Sequence, residues 1–161
     1  MFDFGHVVLG ILSAGILLAV GCVIVTVIYQ CVRDKLREKR NAKARAAELK
    51  RLRETLTPYD YARTVDDAVN KSFAFMHLRA GDRVRVRKSF TDYNGSLFEA
   101  GDTWYFACAY YLPYDGGYTL YISHDRVTIG GIYLQVEEQS DICGHAEKYF
   151  EIVEEGAALE R

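Results

Sequence analysis

The chain has 161 residues, half of them hydrophobic, and carries 20 Lys and Arg residues against 22 Asp and Glu residues. One soluble domain of about 80 to 100 residues uses most of this length, which excludes a second globular domain. The charge is unevenly spread, because residues 55–161 hold ten basic and 17 acidic residues, a net charge of −7. Nucleic-acid-binding domains usually carry a basic footprint, so we expect no nucleic-acid partner.

An apolar run without a charged side chain covers residues 7–32. A helix crosses the hydrocarbon core of a bilayer with about 20 apolar residues, whereas a buried helix of a soluble protein has a shorter apolar run. The run predicts a single transmembrane helix, with residues 1–32 as an anchor and the lipid bilayer as a partner. A secretory signal peptide would begin with basic residues and have a shorter apolar stretch, so we expect the anchor to be retained.

Small residues recur at helical spacing inside this run, for example at Gly10, Ala14 and Gly21. Small side chains let membrane helices approach each other closely, which predicts a homo-oligomer formed through the anchor. Glycine and alanine are also common in membrane helices in general, so the alternative of an anchor that does not self-associate stays open.

The next segment, residues 33–56, is basic and contains neither Gly nor Pro. Its composition predicts a helical stalk. Between residues 33 and 54, ten basic residues stand against four acidic ones. Cytoplasmic flanks carry such an excess, which predicts a single-pass membrane protein with its N-terminus outside and residues 33–161 in the cytoplasm. The basic residues nearest the anchor are expected to contact anionic lipid headgroups. These are Arg33, Lys35, Arg37, Lys39 and Arg40.

A new helix is predicted to begin where the stalk ends. Thr57 is a good N-cap, and Pro58 suits the first helical position. Apolar residues then recur at helical spacing as far as Met76. The pattern predicts an amphipathic helix over about 58–76, within a segment 57–77 that precedes the main domain.

From residue 78 to 155 the pattern alternates between apolar and polar residues, with turn signals every 8 to 12 residues. About five short strands are expected, and Thr103 to Leu112 should be central because both of its sides are apolar. Alternation places Trp104, Phe106, Cys108 and Tyr110 on one side of this strand. We therefore predict an α+β protein whose soluble domain is mainly β, a small antiparallel SH3-like barrel. Apolar residues from Ile142 to Val153 predict a C-terminal helix, and residues 156–161 a frayed tail.

Several motifs in this domain stand in a fixed order. They are Phe90-Thr91-Asp92-Tyr93-Asn94-Gly95, then Gly101 with Trp104 and Phe106, then Leu112-Pro113-Tyr114-Asp115-Gly116-Gly117, then Leu134-Gln135 with Gln139 and Ile142. With these motifs, the sequence resembles a family of small bacterial domains of unknown function over about 78–150. The resemblance implies a bacterial origin, and therefore the bacterial inner membrane as the location of the predicted anchor. It also implies a compact β-rich domain, and it implies no activity.

No pattern typical of a catalytic or metal site is present. Cys143 and His145, with His124 elsewhere, form one irregular pair, whereas a structural zinc site has two paired ligand motifs. Cys108 lies in the middle of a strand, where thiols are usually buried and inert. We therefore expect no metal, no cofactor and no enzymatic activity.

Eight tyrosines within 41 residues, from Tyr93 to Tyr133, are the most informative cluster. Aromatic grooves on SH3-like barrels bind extended or proline-rich peptides, and acidic residues there can recognise basic side chains. Alternatively, the rings are buried at the barrel ends and only the hydroxyls meet water. The predicted contact residues are Asp92, Tyr93, Trp104, Tyr111, Tyr114, Asp115 and Tyr121.

The predicted function is that of a membrane-anchored, cytoplasmic, non-catalytic binding or adaptor module for a protein or peptide partner. One alternative inverts the topology and makes the domain a periplasm-facing module that binds cell-wall peptide. Two others are an immunity-type protein that binds a toxin and an enzyme of unrecognised type.

Overall fold

The computed structural model describes the backbone of residues 4–156 and the side chains of residues 25–156. The chain divides into two compact units, residues 1–48 and 49–161. Helix α1 (Phe4–Thr55) forms the first unit, and its last residues belong to the second. From residue 33 onward α1 is rich in Ala, Leu, Lys, Arg and Glu, which are strong helix formers. The helix therefore continues through the predicted stalk.

The predicted membrane anchor is corrected by the structure. Among the residues that the structure describes, no helix is long and apolar enough to cross a membrane. In the predicted span, residues 7–24 lie outside the described side chains, as do Gly10, Ala14 and Gly21. The described part, residues 25–32, is well short of the roughly 20 apolar residues that a span requires. The single-pass and inner-membrane predictions are therefore not supported.

The basic residues at the start of the predicted stalk lie on the described part of α1, where all of them are exposed to solvent. The lipid contact suggested for them stays a prediction. They are Arg33, Lys35, Arg37, Lys39 and Arg40.

Helix α2 (Pro58–Thr64) begins as predicted and ends twelve residues earlier than the predicted 76. The amide of Asp60 donates to the Thr57 hydroxyl oxygen at 3.0 Å, and Pro58 is the first helical residue. Val65 adopts an extended conformation, and its carbonyl oxygen accepts a hydrogen bond from the Lys71 ammonium group. Because that carbonyl is bound by a side chain, the helix is not continued. The apolar residues that follow the helix, as far as residue 76, lie in short strands or in the segments beside them.

The described residues of the second unit contain ten strands and three further helical segments. In chain order they are α2, β1 (Lys71–Ser72), β2 (Ala74–Phe75), β3 (Leu78–Arg79), β4 (Arg83–Val86), β5 (Phe90–Thr91), β6 (Leu97–Phe98), β7 (Thr103–Leu112), β8 (Gly117–Ser123), β9 (Gly130–Gln135), α3 (Ser140–Gly144), α4 (Ala146–Tyr149) and β10 (Phe150–Glu154).

The main sheet is antiparallel and has the strand order β10–β4–β7–β8–β9, with β1 pairing to the second half of β7. Strand β7 is central, as predicted. The sheet is open, so the predicted SH3-like barrel is wrong. The two end strands do not pair with each other, because other groups occupy their outer edges. Tyr133 in β9 is bound by the 92–93 segment, and the Phe150 carbonyl in β10 is bound by His77.

The predicted C-terminal helix is also wrong beyond Tyr149. The apolar residues that predicted it lie in α3, in α4 and in strand β10, and His145 separates the two helices. Phe150 pairs with Val86 and Ile152 with Val84, so the last strand completes one end of the sheet. Ile152 and Val153 are β-branched, which favours the strand over a continued helix.

A β-bulge in β7 lies between Phe106 and Cys108. The extra residue changes which side chains share a face of the strand. Trp104, Phe106 and Ala109 belong to the hydrophobic core, whereas Cys108 and Tyr110 line a cavity outside that core. The alternation read from the sequence placed Trp104, Phe106, Cys108 and Tyr110 on one side. The bulge is the reason that this placement is wrong.

The core lies on one face of the sheet and is rich in aromatic rings. The Phe150 ring packs edge-on against Trp104 at 5.5 Å and against Phe90 at 5.6 Å between ring centroids. Side chains from β2 and β3 and from α3 and α4 cover this face. Phe150 is 1% exposed, so the last strand is anchored in the core.

We expect Phe150→Ala to lower the free energy of unfolding by about 3 to 5 kcal/mol, because it leaves a cavity between two aromatic rings. Urea denaturation of the full chain measures this change. Tyr114→Ala is the control, since Tyr114 is fully exposed and its loss should alter the free energy by less than about 0.5 kcal/mol. A loss below about 1 kcal/mol for Phe150→Ala would contradict the placement of the last strand in the core.

Candidate functional site

Two concave surfaces in the second unit are lined by tyrosines. The first, here called the tyrosine cavity, has a volume of about 300 Å³. It lies beside α2, the segment 65–71 and the β7 and β8 side chains that the bulge turns away from the core. Its lining residues are Arg53, Pro58, Tyr61, Ala62, Asp67, Lys71, Cys108, Tyr110, Tyr121 and Ile129.

Lys71 is the most deeply buried cation of this cavity, with a side chain only 1% exposed. Its ammonium nitrogen lies 3.1 Å from Asp67 Oδ1 and also donates to the Val65 carbonyl oxygen. Three aromatic rings surround it at 5.4 to 5.8 Å from their centroids, those of Tyr61, Phe73 and Tyr110. A buried ammonium group needs a paired charge and hydrogen-bond partners, and this arrangement supplies both.

Asp67 is the centre of a closed hydrogen-bond network. Its Oδ1 accepts from Lys71 and from the Tyr110 hydroxyl, each at 3.1 Å. Burial alone would raise the pKa of Asp67, but the hydrogen bond from Lys71 and the charge of Lys71 outweigh burial and hold that pKa below its usual value. Burial, together with the nearby Asp67, raises the pKa of Tyr110. At neutral pH the carboxylate is therefore ionised and the phenol stays a neutral donor.

Two other side chains of the cavity wall are not bound into this network. Cys108 is fully buried, and burial raises the pKa of its thiol to about 12, so the thiol is protonated and not activated as a nucleophile. Tyr121 packs edge-on against Tyr110 at 5.4 Å between centroids. Within the part of the chain that the structure describes, its hydroxyl forms no side-chain hydrogen bond. That hydroxyl is available to a ligand.

The second surface, here called the β8–β9 groove, has a volume of about 220 Å³. It runs along the facing ends of β8 and β9 and is bordered by the 92–95 and 113–117 loops. Its lining residues are Tyr93, Leu112, Asp115, Gly117, Tyr118, Thr119, Tyr133, Leu134 and Gln135.

Asp92 fixes one border of the groove. It is 3% exposed, and its Oδ1 accepts from the Ser96 amide at 2.8 Å while its Oδ2 accepts from the Tyr133 amide at 3.2 Å. The Tyr93 amide donates to the Tyr133 carbonyl at 2.8 Å. The turn at Asn94-Gly95 needs the positive φ of 84° that glycine adopts readily. Asp92 therefore holds the loop against β9 and does not face a ligand.

The residues predicted from the sequence to form one contact surface do not lie together. Tyr93 and Asp115 line the β8–β9 groove. Tyr111 lies next to it, with its ring centroid 5.0 Å from that of Tyr118. Tyr114 projects fully into solvent at the tip of the 113–117 loop.

The other predicted residues lie elsewhere. Trp104 is 1% exposed in the core, and its indole N–H has no partner among the described residues. Tyr121 lines the tyrosine cavity. Asp92 supports the loop as described above.

Sequence reasoning missed the pair at the heart of the tyrosine cavity. Asp67 and Lys71 are four residues apart, and on the predicted amphipathic helix they would have formed an exposed polar face. The available signal was their position between Val65 and Phe73, two apolar residues, in a segment that includes Asn70. Tyr118 and Tyr133 were counted in the tyrosine cluster, but only the pairing of β8 with β9, which sets Tyr118 opposite Leu134 and Thr119 opposite Tyr133, shows that both line one groove.

The histidines and cysteines considered as metal ligands are separated. His124 Nδ1 lies 3.1 Å from the Thr103 carbonyl oxygen, Cys143 is buried, and His145 is 3.7 Å from Glu147. The described residues contain no group of three or more His, Cys, Asp or Glu side chains that could hold a metal ion.

Comparison with known proteins identifies the domain. Residues 60–155 match the family model described as a domain of unknown function, DUF3601. This match confirms the predicted resemblance to such a family. A solved structure of an integron cassette protein from the mobile metagenome of Vibrio cholerae is 30% identical, and the alignment covers 51% of this chain and 92% of that chain, with a TM-score of 0.49. No curated protein matches the chain.

We expect Asp67→Asn to lower the free energy of unfolding by about 3 kcal/mol at neutral pH, because Lys71 then keeps a buried charge without its anionic partner. The folded-state pKa of Asp67 is lowered, so the contribution of its charge is present above the unfolded-state pKa and is lost as pH falls through the folded value. Urea denaturation at neutral pH and at about pH 3 should therefore show the difference between variant and wild type shrinking in acid.

The control for this experiment is Glu54→Gln, which removes an exposed ion pair with Lys50 at 4.0 Å and should cost at most about 1 kcal/mol. An Asp67→Asn variant as stable as the wild type at neutral pH would contradict the buried pair.

Proposed function

Since this chain belongs to the DUF3601 family, a domain of unknown function, we propose its role from the geometry alone. It is a non-catalytic binding module whose β8–β9 groove takes an extended segment of a protein partner with a basic side chain. The observation that carries this proposal is that three tyrosines and one acidic residue line one groove. The tyrosines are Tyr93, Tyr118 and Tyr133, and the acidic residue is Asp115.

The charge of the groove favours a basic partner. None of its lining residues is Lys or Arg, and Asp115 is the one Asp or Glu among them. Glu137 and Glu138 are exposed directly after β9, and residues 55–161 carry a net charge of −7. An arginine or lysine that lies over a tyrosine ring gains cation–π attraction, and a nearby carboxylate adds to it.

The outer edge of β9 is already hydrogen-bonded, which favours a partner that contacts side chains of the groove over one that adds a strand to the sheet. Both backbone groups of Tyr133 are bound by the 92–93 segment. The Gln135 amide donates to Gln139 Oε1 at 2.7 Å, and the Gln139 amide donates to the Gln135 carbonyl at 2.8 Å. An incoming strand would find these positions taken, so a partner is expected to contact rings and the Asp115 carboxylate instead of extending the sheet.

The motifs that carry the family resemblance supply both borders of the groove. Phe90 to Gly95 provides Tyr93 and the supporting Asp92, whereas Leu112 to Gly117 provides Leu112, Asp115 and Gly117. We propose that these motifs occur together in the sequence because both are needed to form the groove.

The non-catalytic part of the proposal is supported by the state of the acidic groups with shifted pKa values. Asp67 is paired with Lys71 and Tyr110. Hydrogen bonds from the amides of Val127 and Thr128, helped by side-chain hydroxyls, hold the pKa of Asp125 well below its usual value. Carboxylates stabilised in the ionised form are poor general acids and weak general bases at neutral pH.

A fluorescent peptide that alternates arginine with proline tests the groove directly, with a glutamate–proline peptide for comparison. Anisotropy titration of the full chain should show tighter binding of the arginine peptide. Tyr93→Ala and Asp115→Asn should each weaken it by about tenfold or more, which corresponds to about 1.4 kcal/mol. Asp115→Asn should also reduce the dependence of binding on salt, because one screened charge pair is lost.

Two variants serve as matched controls. Glu99→Gln removes an exposed acid that does not line the groove, and Tyr114→Ala removes an exposed ring from the 113–117 loop outside the lining. Both should bind the arginine peptide as the wild type does. Equal affinity for the two peptides, or unchanged binding by Tyr93→Ala and Asp115→Asn, would refute the proposed groove.

A further inference from the structure

The tyrosine cavity shares no lining residue with the β8–β9 groove and plays no part in the function proposed above. We propose that this cavity is a separate site for a small aromatic carboxylic acid, with the ring between the tyrosines and the carboxylate on Arg53.

The volume and walls of the cavity fit a ligand with one ring. Pockets for organic ligands have volumes of about 300 to 1,000 Å³, mostly apolar walls and a few convergent polar groups. This cavity, at about 300 Å³, stands at the lower end of that range. The rings of Tyr110 and Tyr121 meet at 75° and leave aromatic surface facing the cavity. Aromatic side chains favour such offset or edge contacts with a planar ring.

The charges of the cavity select an anion. Lys71 and Asp67 cancel each other in a buried pair at 3.1 Å, so neither is available to a ligand. Arg53 is then the remaining charge among the lining residues. Its guanidinium carbon lies 5.3 Å from the Tyr61 ring centroid, and no described carboxylate lies within ion-pair distance of it. A guanidinium group carries five N–H donors in a planar fork, which suits paired contacts with a carboxylate.

The Tyr121 hydroxyl gives the site a second polar contact. It has no side-chain hydrogen bond within the described chain, and burial raises its pKa, so it is a neutral phenol in a partly dry environment. A neutral phenol without such a hydrogen bond can donate to a ligand or accept from it. The hydroxyl therefore adds a preference for an aromatic acid with its own ring hydroxyl.

Isothermal titration calorimetry of the full chain with 4-hydroxybenzoate tests the site, with 4-hydroxybenzyl alcohol as the neutral analogue and benzoate as the analogue without a ring hydroxyl. The wild type should bind 4-hydroxybenzoate at least about tenfold more tightly than the alcohol. Arg53→Gln should abolish this preference, and Arg53 is exposed, so the variant should fold normally. Tyr121→Phe should weaken 4-hydroxybenzoate binding and leave benzoate binding unchanged.

Arg51→Gln is the matched control, since Arg51 is an exposed arginine of α1 that does not line the cavity, and it should bind as the wild type does. Tyr93→Ala should also bind 4-hydroxybenzoate normally, which separates this site from the peptide groove. The absence of saturable binding to the wild type, or a preference for the acid that survives Arg53→Gln, would overturn the proposal.

Discussion

The β-bulge between Phe106 and Cys108 is the constraint on which the arrangement of the second unit depends. A regular strand of this composition would turn Trp104, Phe106, Cys108 and Tyr110 toward one side. With one extra residue, the first two enter the core, and the last two face α2 and the 65–71 segment. A single strand thus contributes to both the hydrophobic core and the tyrosine cavity, and the side chains change face within the strand and not at a turn.

The sequence predicted the local features better than the long-range ones. Thr57 and Pro58 mark the start of α2, and the turns at Asn94-Gly95 and Gly116-Gly117 separate strands. Strand β7 is central, as its two apolar sides indicate. These signals are local because they rest on φ preferences and on capping. The open sheet, the short α2 and strand β10 depend on distant partners. Lys71 binds the Val65 carbonyl, and Phe150 pairs with Val86. Neither contact can be recognised from the spacing of apolar residues in the sequence.

For a related reason, the sequence indicated only part of the candidate site. Counting rings located the tyrosine-rich region, but residue type does not show whether a ring faces solvent, core or cavity. Asp92 and Asp115 illustrate the point, since both lie in turns between strands, yet the first is 3% exposed and the second lines the groove. The apolar run that suggested a membrane helix shows the same limit, because that prediction was based on the length and residue types of the run, and most of the run lies outside the described side chains.

The hydrogen bonds of Asp92 have a consequence for how the groove can change. They tie the 92–95 loop to β9 through backbone amides, so the loop does not rely on the side chains of Tyr93 or Asp115 for its conformation. The residues that hold the loop and the residues of the proposed contact are therefore different. Such modularity would let Tyr93 and Asp115 be exchanged for other side chains while the rim keeps its shape, and a rim that is ordered before a partner arrives does not lose loop entropy on association.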